Sequence, residues 1–333
     1  MDYQTARQKL QRGIKEVNAS NFTDVAMDLF RFQATFNPVF GRWLQLLDVD
    51  IKALTSPQEV PFLPIRFFKS HLLQTGHWLP EKVFTSSGTT GNTTSRHAVR
   101  HTSWYVENCR RGFTAQYGPP EDYVWLALLP SYLERANSSL IAMADHFIRH
   151  SRHPESGFFL YEHEELLDVL RRCSAQDLPV VLLGVSFALL DLAENHPQPL
   201  ASSVTIMETG GMKGRRRELT RSELHQVLKR AFDQPAIHSE YGMTELFSQA
   251  YSRGEGIFAP SPTMRVLVRE VTDPFHRPPA GRSGALDIID LANIDTLAFL
   301  ATDDLGRVYE DGTFEVLGRL DASDIRGCNL LVA

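Results

Sequence analysis

Apolar residues recur at three- and four-residue steps between residues 4 and 47, in Ala6-Arg7-Gln8-Lys9-Leu10 and again in Phe22-Thr23-Asp24-Val25-Ala26-Met27-Asp28-Leu29-Phe30. That period predicts helices forming a cap or one face of the fold. From Lys82 to about Gly242 the pattern changes. Short apolar runs at 123–129, 180–183, 204–207 and 236–238 alternate with helical stretches such as 104–117, 139–150 and 220–232. Such alternation predicts a mainly parallel sheet with helices packed on it. The longest apolar stretch, 179–192, is bracketed by Asp177 and Asp191 and reads as a buried strand at 180–185 followed by a helix from Phe187. It falls short of the roughly 20 residues that a membrane span needs. Beyond Pro260 the chain reads as short strands at 264–271, 284–289, 296–301, 307–309 and 313–317, punctuated by Pro278-Pro279-Ala280-Gly281 and Asp311-Gly312. This predicts a small, hairpin-rich β lobe. The expected fold class is α/β: residues 1–260 form a helical cap and a large α/β body, and 261–333 a small β lobe ending in a short tail.

At 333 residues and 43% hydrophobic, the chain buries a sizeable core and suits one large unit with a smaller appended lobe. A formal charge of −6, with Arg215-Arg216-Arg217 as the only concentrated basic cluster, argues against nucleic acid or an anionic membrane as the main partner. The cysteines Cys109, Cys173 and Cys328 lack Cys-x-x-Cys spacing and fit neither a disulfide framework nor a zinc site. A reducing compartment is expected. The start, Met1-Asp2-Tyr3-Gln4, lacks the basic residues and apolar core of a signal peptide, so the expected location is cytoplasmic.

Candidate chemistry begins with Phe84-Thr85-Ser86-Ser87-Gly88-Thr89-Thr90-Gly91, an apolar strand running into a Gly/Ser/Thr loop. Glycines admit close backbone approach, and consecutive N–H groups and hydroxyls wrap phosphate oxygens, so a nucleotide is the leading ligand. The Gly-x4-Gly-Lys-Ser/Thr form of the familiar NTPase loop is absent. Downstream stand His238-Ser239-Glu240-Tyr241-Gly242-Met243-Thr244-Glu245, then Ala301-Thr302-Asp303-Asp304-Leu305-Gly306-Arg307, then Gly318-Arg319-Leu320-Asp321. Taken singly, each has an ordinary reading: Tyr241 as a sheet-end aromatic, Glu245 as a helix N-terminal charge, Asp304-Leu305-Gly306 as a hairpin turn.

In their order and spacing these motifs resemble the adenylate-forming superfamily, whose members activate a carboxylate with ATP to give an acyl-AMP. Pro61-Phe62-Leu63-Pro64-Ile65-Arg66-Phe67-Phe68-Lys69, Leu129-Pro130-Ser131-Tyr132-Leu133-Glu134-Arg135, Thr209-Gly210-Gly211-Met212-Lys213-Gly214 and Arg326-Gly327-Cys328-Asn329-Leu330-Leu331 extend the likeness. They resemble the acyl-protein synthetases of the bacterial luciferase pathway (the LuxE family) from about residue 55 onward, and phenylacetate-CoA ligases are similar to this branch. The resemblance implies that Ser86, Ser87, Gly88, Thr89, Thr90 and Gly91 hold the β- and γ-phosphates. It gives Glu245 to Mg2+, Thr244 to the α-phosphate, and Tyr241 with neighbouring Gly242 to adenine, with the backbone of Gly210-Gly211 on the opposite face. Asp304 is expected on the ribose hydroxyls and Arg319 on ribose or phosphate. Attack on the α-phosphorus crowds negative charge onto one centre, which is the chemical need for metal, N–H donors and cations.

The sequence departs from the superfamily pattern after Gly318-Arg319-Leu320-Asp321, where such enzymes continue into a mobile domain carrying a lysine that stabilises charge during adenylation. That domain is expected to be absent, with Lys213, Lys69 and Arg96 as candidate substitutes. Asn92-Thr93-Thr94-Ser95-Arg96 also stands where a Pro-Lys pair often follows the phosphate loop. Acyl-protein synthetases transfer the acyl group to a cysteine near the chain's end, and Cys328 stands at the matching position. A thiolate is a competent acyl acceptor; the ordinary alternative is a small apolar residue in a terminal strand. The expected ligands are a fatty or aromatic carboxylic acid, ATP and Mg2+, with an acceptor protein or coenzyme A as partner. A nucleotide-binding scaffold without catalysis is the alternative from another class. His146 and His150, at helical i,i+4 spacing, and His97 and His101 lack an acidic or cysteine complement and read as packed or solvated positions. Ser131, without a Gly-x-Ser-x-Gly elbow, reads as a loop residue near the acyl pocket.

Overall fold

The structure is a computed structural model and describes residues 2–86, 94–129, 137–210 and 219–320. In chain order its elements are α1 (Tyr3–Lys15), α2 (Phe22–Phe36), α3 (Pro38–Leu46), β1 (Leu63–Pro64), α4 (Phe67–Ser70), β2 (Lys82–Thr85), β3 (Arg96–Val99), α5 (Thr102–Tyr117), β4 (Val124–Leu128), α6 (Ser139–His150), β5 (Gly157–Phe159), α7 (His163–Ala175), β6 (Val180–Val185), α8 (Ser186–Asn195), β7 (Val204–Thr209), α9 (Arg221–Phe232), β8 (His238–Tyr241), β9 (Ala250–Ser252), β10 (Ile257–Pro260), β11 (Met264–Arg269), β12 (Ser283–Asp290), β13 (Phe299–Val308) and β14 (Phe314–Arg319). Short 3-10 turns at Pro57–Glu59 and Pro120–Asp122 interrupt the connections.

Residues 103–244 and 249–261 form one compact unit, the α/β body. Its strands run β5-β4-β6-β7-β8 in parallel, and β9 and β10 continue antiparallel. Every residue of β4 and β6 is buried, which is why both read as unbroken apolar runs rather than alternating ones. Helix α6 packs on β4, and α8 on β6 and β7. The helix ends follow local chemistry. Ser138 caps α6 by accepting from the Ile141 N–H, and Thr220 with Glu223 forms a capping box on α9.

Residues 1–102, 245–248 and 262–333 form the other unit. Its described core is the antiparallel meander β11-β12-β13-β14, with β1 pairing in parallel on β13 and the β2–β3 hairpin as a separate ladder. This division differs from the expected boundary at 260, because the N-terminal helices group with the β lobe. The physical reason is a set of long-range contacts that no local pattern displays. The Phe299 ring lies 5.8, 6.4 and 5.6 Å from those of Phe30, Phe40 and Phe62. Gln33, fully buried in α2, donates to the Asn293 carbonyl at 2.9 Å and accepts from the Ala298 N–H at 2.9 Å. Arg7 in α1 grips Asp295 through two bonds of 2.6 Å, joined by Arg100 at 3.1 Å.

The β lobe corrects a second expectation. Residues 296–301 and 307–309 are not two strands, because β13 runs unbroken from Phe299 to Val308 and takes in Asp304-Leu305-Gly306. Polar Asp303 is tolerated there because Arg66 pairs with it at 3.0 Å, and a register shift against β14 at Leu305/Gly306 absorbs the irregularity. Gly306 is needed at that point, since a Cβ would lie 2.3 Å from the Glu315 carbonyl oxygen. Among the described residues, no helix is long and apolar enough to cross a membrane.

Candidate functional site

In the unit that holds the β lobe, the stem of the candidate phosphate loop is closed by a reciprocal serine pair. The Ser86 N–H donates to the Ser95 carbonyl at 3.1 Å, and the Ser95 N–H donates to Ser86 Oγ at 2.9 Å. Ser87, Gly88, Thr89, Thr90 and Gly91 lie outside the described residues. Glu245 is buried in the same unit. Burial raises its pKa, against the opposing pull of a hydrogen bond from Ser95, its own N–H, and the charges of Arg319 and Lys69. A buried carboxylate is thus bonded to a residue at the root of the loop.

The chain after Glu245 is fixed by the β lobe. The Glu245 carbonyl accepts from Asn293 Nδ2 at 2.9 Å, and one Asp290 oxygen accepts the N–H groups of Phe247 and Ser248 at 2.7 and 2.9 Å. Ser248 Oγ reaches the other Asp290 oxygen at 2.6 Å. The Phe247 ring stacks on His97 with centroids 4.4 Å apart, and His97 Nε2 lies 2.8 Å from Thr296 Oγ1. Asp304 and Arg319 face each other across β13 and β14, with Arg319 Nε 3.4 Å from Asp304 Oδ1. The carboxylate is nearly buried while the guanidinium side chain is 75% exposed, so the acid is fixed and the cation projects outward.

In the α/β body the other candidates sit at the carboxyl ends of β7 and β8. Gly210 follows β7 at φ 72°, and its carbonyl accepts from Ser186 Oγ at the start of α8. Tyr241 ends β8, buried, its ring 5.8 Å from that of Phe258. Thr209 Oγ1 donates to the buried carboxyl group of Glu240, whose pKa burial pushes up to about 7, with the charge of Glu208 adding to the rise. Gly242 leaves room for it, because a Cβ there would lie 2.4 Å from Glu240 Oε1 and the carboxyl group would have to shift. Glu208 itself goes the other way. Burial would raise its pKa, but His225 and Arg221 outweigh it and the net shift is downward. Thr244 is half-buried and closes this part of the chain, so the Tyr-Gly-Met-Thr-Glu motif crosses from one compact unit to the other at its last residue.

Gly211, Lys213, Ser131 and Cys328 lie outside the described residues, whereas Cys109 and Cys173 are buried. Among the described residues, no group of three or more His, Cys, Asp and Glu side chains is placed to hold a metal ion. Lys69 and Arg96 are both exposed. Sequence reasoning missed Ser95, Asp290, Asn293 and Glu240. Only Glu240 carried a local signal, a charged residue set between Ser239 and Tyr241 in a run that behaves as a strand.

No protein-family model matches the sequence, and no curated protein matches it. Solved structures do. ATP-bound MatB from Rhodopseudomonas palustris is similar with a TM-score of 0.55 and 18% identity, over 71% of this chain and 47% of that one. The O-succinylbenzoate coenzyme A synthetase MenE from Bacillus subtilis, in complex with ATP and magnesium, gives 0.50 and 18%, over 71% and 49%. A 2-hydroxyisobutyryl-CoA ligase in its postadenylation state, in complex with 2-HIB-AMP, gives 0.65 and 13%, over 91% and 69%. The chain spans about half the length of the MatB structure, 47%. At these identities the likeness is one of architecture: the chain has the mixed α/β fold of adenylate-forming ligases.

Proposed function

We propose that this chain is an ATP- and Mg2+-dependent carboxylic acid ligase of the cytoplasm that forms an acyl-adenylate and passes the acyl group to a thiol. In the first step a carboxylate oxygen of the acid bonds to the α-phosphorus of ATP and pyrophosphate leaves. In the second, a thiolate attacks the acyl carbonyl, AMP leaves, and a thioester remains. Following the resemblance to acyl-protein synthetases, the first thiol is that of Cys328 and the final acceptor a partner protein. The acid is fatty or aromatic.

The observation that carries this reading is the position of Glu245, a buried carboxylate bonded to Ser95 at the root of the Ser/Thr/Gly loop, with Arg319 and Lys69 close enough to act on its charge. A hard oxygen donor beside hydroxyls and without a cage of further ligands suits Mg2+, which keeps several waters and shares phosphate oxygens. Glu245 would hold that ion, which would supply charge stabilisation at the phosphates. Ser86, Ser87, Gly88, Thr89, Thr90 and Gly91 would bind the β- and γ-phosphates and Thr244 the α-phosphate. Tyr241, Gly242, Gly210 and Gly211 would flank adenine. Asp304 would accept from the ribose hydroxyls, Arg319 would reach ribose or phosphate, and Lys213 would supply the cation opposite the developing charge. Coenzyme A is a second reading for the acceptor, favoured by the similar folds of the CoA ligases.

ATP–pyrophosphate exchange across fatty, aromatic and amino acids tests the proposal. Exchange that depends on one class of acid supports it, whereas no exchange with any acid in the presence of Mg2+ overturns it.

A further inference from the structure

We propose that Glu240 is a positioning residue for the adenine end of the nucleotide site, and that its uncharged carboxyl group is the form that holds Gly210 and Tyr241-Gly242 in place. The inference rests on the adenylate-forming reading for the ligand and on the α/β body for its geometry. Thr209 and Glu240 are direct partners across the parallel pair β7–β8, and the Thr209 hydroxyl donates to one carboxyl oxygen. The other oxygen fills the space that a side chain on residue 242 would take, 2.4 Å from the position of a Cβ. One carboxyl group therefore bonds the residue before the Gly210 bend and packs against the residue after Tyr241. Ligands of open α/β sheets bind at the carboxyl ends of the strands, and Thr209 and Glu240 lie at those ends of β7 and β8.

Burial and the charge of Glu208 favour the neutral acid, and they outweigh the Thr209 bond, which favours the ionised one. Among the described residues, the groups that act on Glu240 are Thr209 and Glu208 from β7, its cross-strand partner Tyr251 from β9, and Tyr105 from α5. None of these is a cation. The Tyr251 hydroxyl is buried and has no hydrogen-bond partner among the described residues. A buried carboxylate that meets no counter-charge loses its hydration without compensation. Burial accordingly pushes the pKa up to about 7, so ionisation falls within the range of ordinary assays.

Calorimetric binding of adenosine tests this, because adenosine is uncharged and brings no titrating phosphate; ATP binding at pH 6 serves as the control. Wild type should bind adenosine about tenfold more weakly at pH 8 than at pH 6, since only about a tenth of the acid is uncharged when the pH stands one above its pKa. Glu240→Gln, which still accepts from Thr209, should match wild type at pH 6 and show no loss at pH 8. Glu240→Ala should bind at least about tenfold more weakly at both values. Thr209→Val, a near-isosteric change that keeps the test independent of any folding loss in Glu240→Ala, should weaken binding, and Thr209→Ser should restore it. Wild-type affinity in Thr209→Val, or a pH dependence kept in Glu240→Gln, overturns the inference while ATP binding leaves the ligase reading standing. Failure of wild type to bind either ATP or adenosine overturns both.

Discussion

Two buried carboxyl groups five residues apart in sequence, Glu240 and Glu245, differ in the charges around them, and that difference separates their roles. Burial raises the pKa of Glu245, and Arg319 and Lys69 act against that rise. Glu245→Gln keeps the size and an acceptor for Ser95 but removes the charge. Adenylation should fall by about a hundredfold or more if the metal ion is held there, and an unchanged rate at saturating Mg2+ would place the ion elsewhere. Burial and the charge of Glu208 raise the pKa of Glu240 from 4.5 to about 7. The folded state therefore keeps a proton that the unfolded chain releases, and stability falls as pH rises through that window and levels off above it. Glu240→Gln removes this penalty. The variant should be close to wild type at pH 5 and more stable at pH 8 by up to about 3 kcal/mol, because each tenfold change in an ionisation equilibrium is worth about 1.4 kcal/mol. Urea denaturation at the two pH values reads the difference; an equal gap at both would show that Glu240 is not the titrating group. Tyr241, Glu245 and Asp304 were readable as candidates in the sequence because they belong to contiguous motifs. Ser95 and Asp290 were not, since each is defined by a partner far away in the chain.

At the scale of elements, the segment 245–248 has no regular structure of its own and borrows its shape from β12. Asp290, fully buried at the end of that strand, accepts from two backbone N–H groups and one hydroxyl of the segment. Burial raises its pKa despite these bonds. Asp290→Ala leaves buried donors unmade and should cost about 3 kcal/mol in chemical denaturation, while Asp290→Asn, which keeps an oxygen acceptor, should recover part of that. A loss below about 0.5 kcal/mol for the alanine variant would mean the segment is held by other contacts. The regular elements were far easier to read. The strand at 180–185 and the helix at 139–150 coincide with the sequence reading because a continuous apolar run and a Ser138 cap are local signals. β13 was misread as two strands because Asp303-Asp304-Leu305-Gly306 carries turn-forming residues, and what keeps it extended, Arg66 on one side and β14 on the other, is not local.

Across the whole molecule, sequence order misleads about which parts pack together. The N-terminal helices join the β lobe through Asp295, Phe299 and the buried Gln33, although more than two hundred positions separate those partners in sequence. The α/β class was legible because alternation of strands and helices is repeated along the chain; the packing of residues 1–102 was not, because single side chains decide it. The proposed acyl transfer belongs to this scale too, since it would join two half-reactions in one chain. Acyl-AMP is a reactive mixed anhydride, and a thiolate that meets it displaces AMP and keeps the acyl group as a thioester. If Cys328 is that thiol, enzyme incubated with ATP, Mg2+ and labelled acid should retain label that hydroxylamine removes. Cys328→Ser should still exchange pyrophosphate with ATP, because adenylation does not use the sulfur, but should hold no such label and pass none to a partner. Coenzyme A separates the two acceptors: a serine variant that acylates coenzyme A as fast as wild type would make Cys328 a bystander and the chain a CoA ligase.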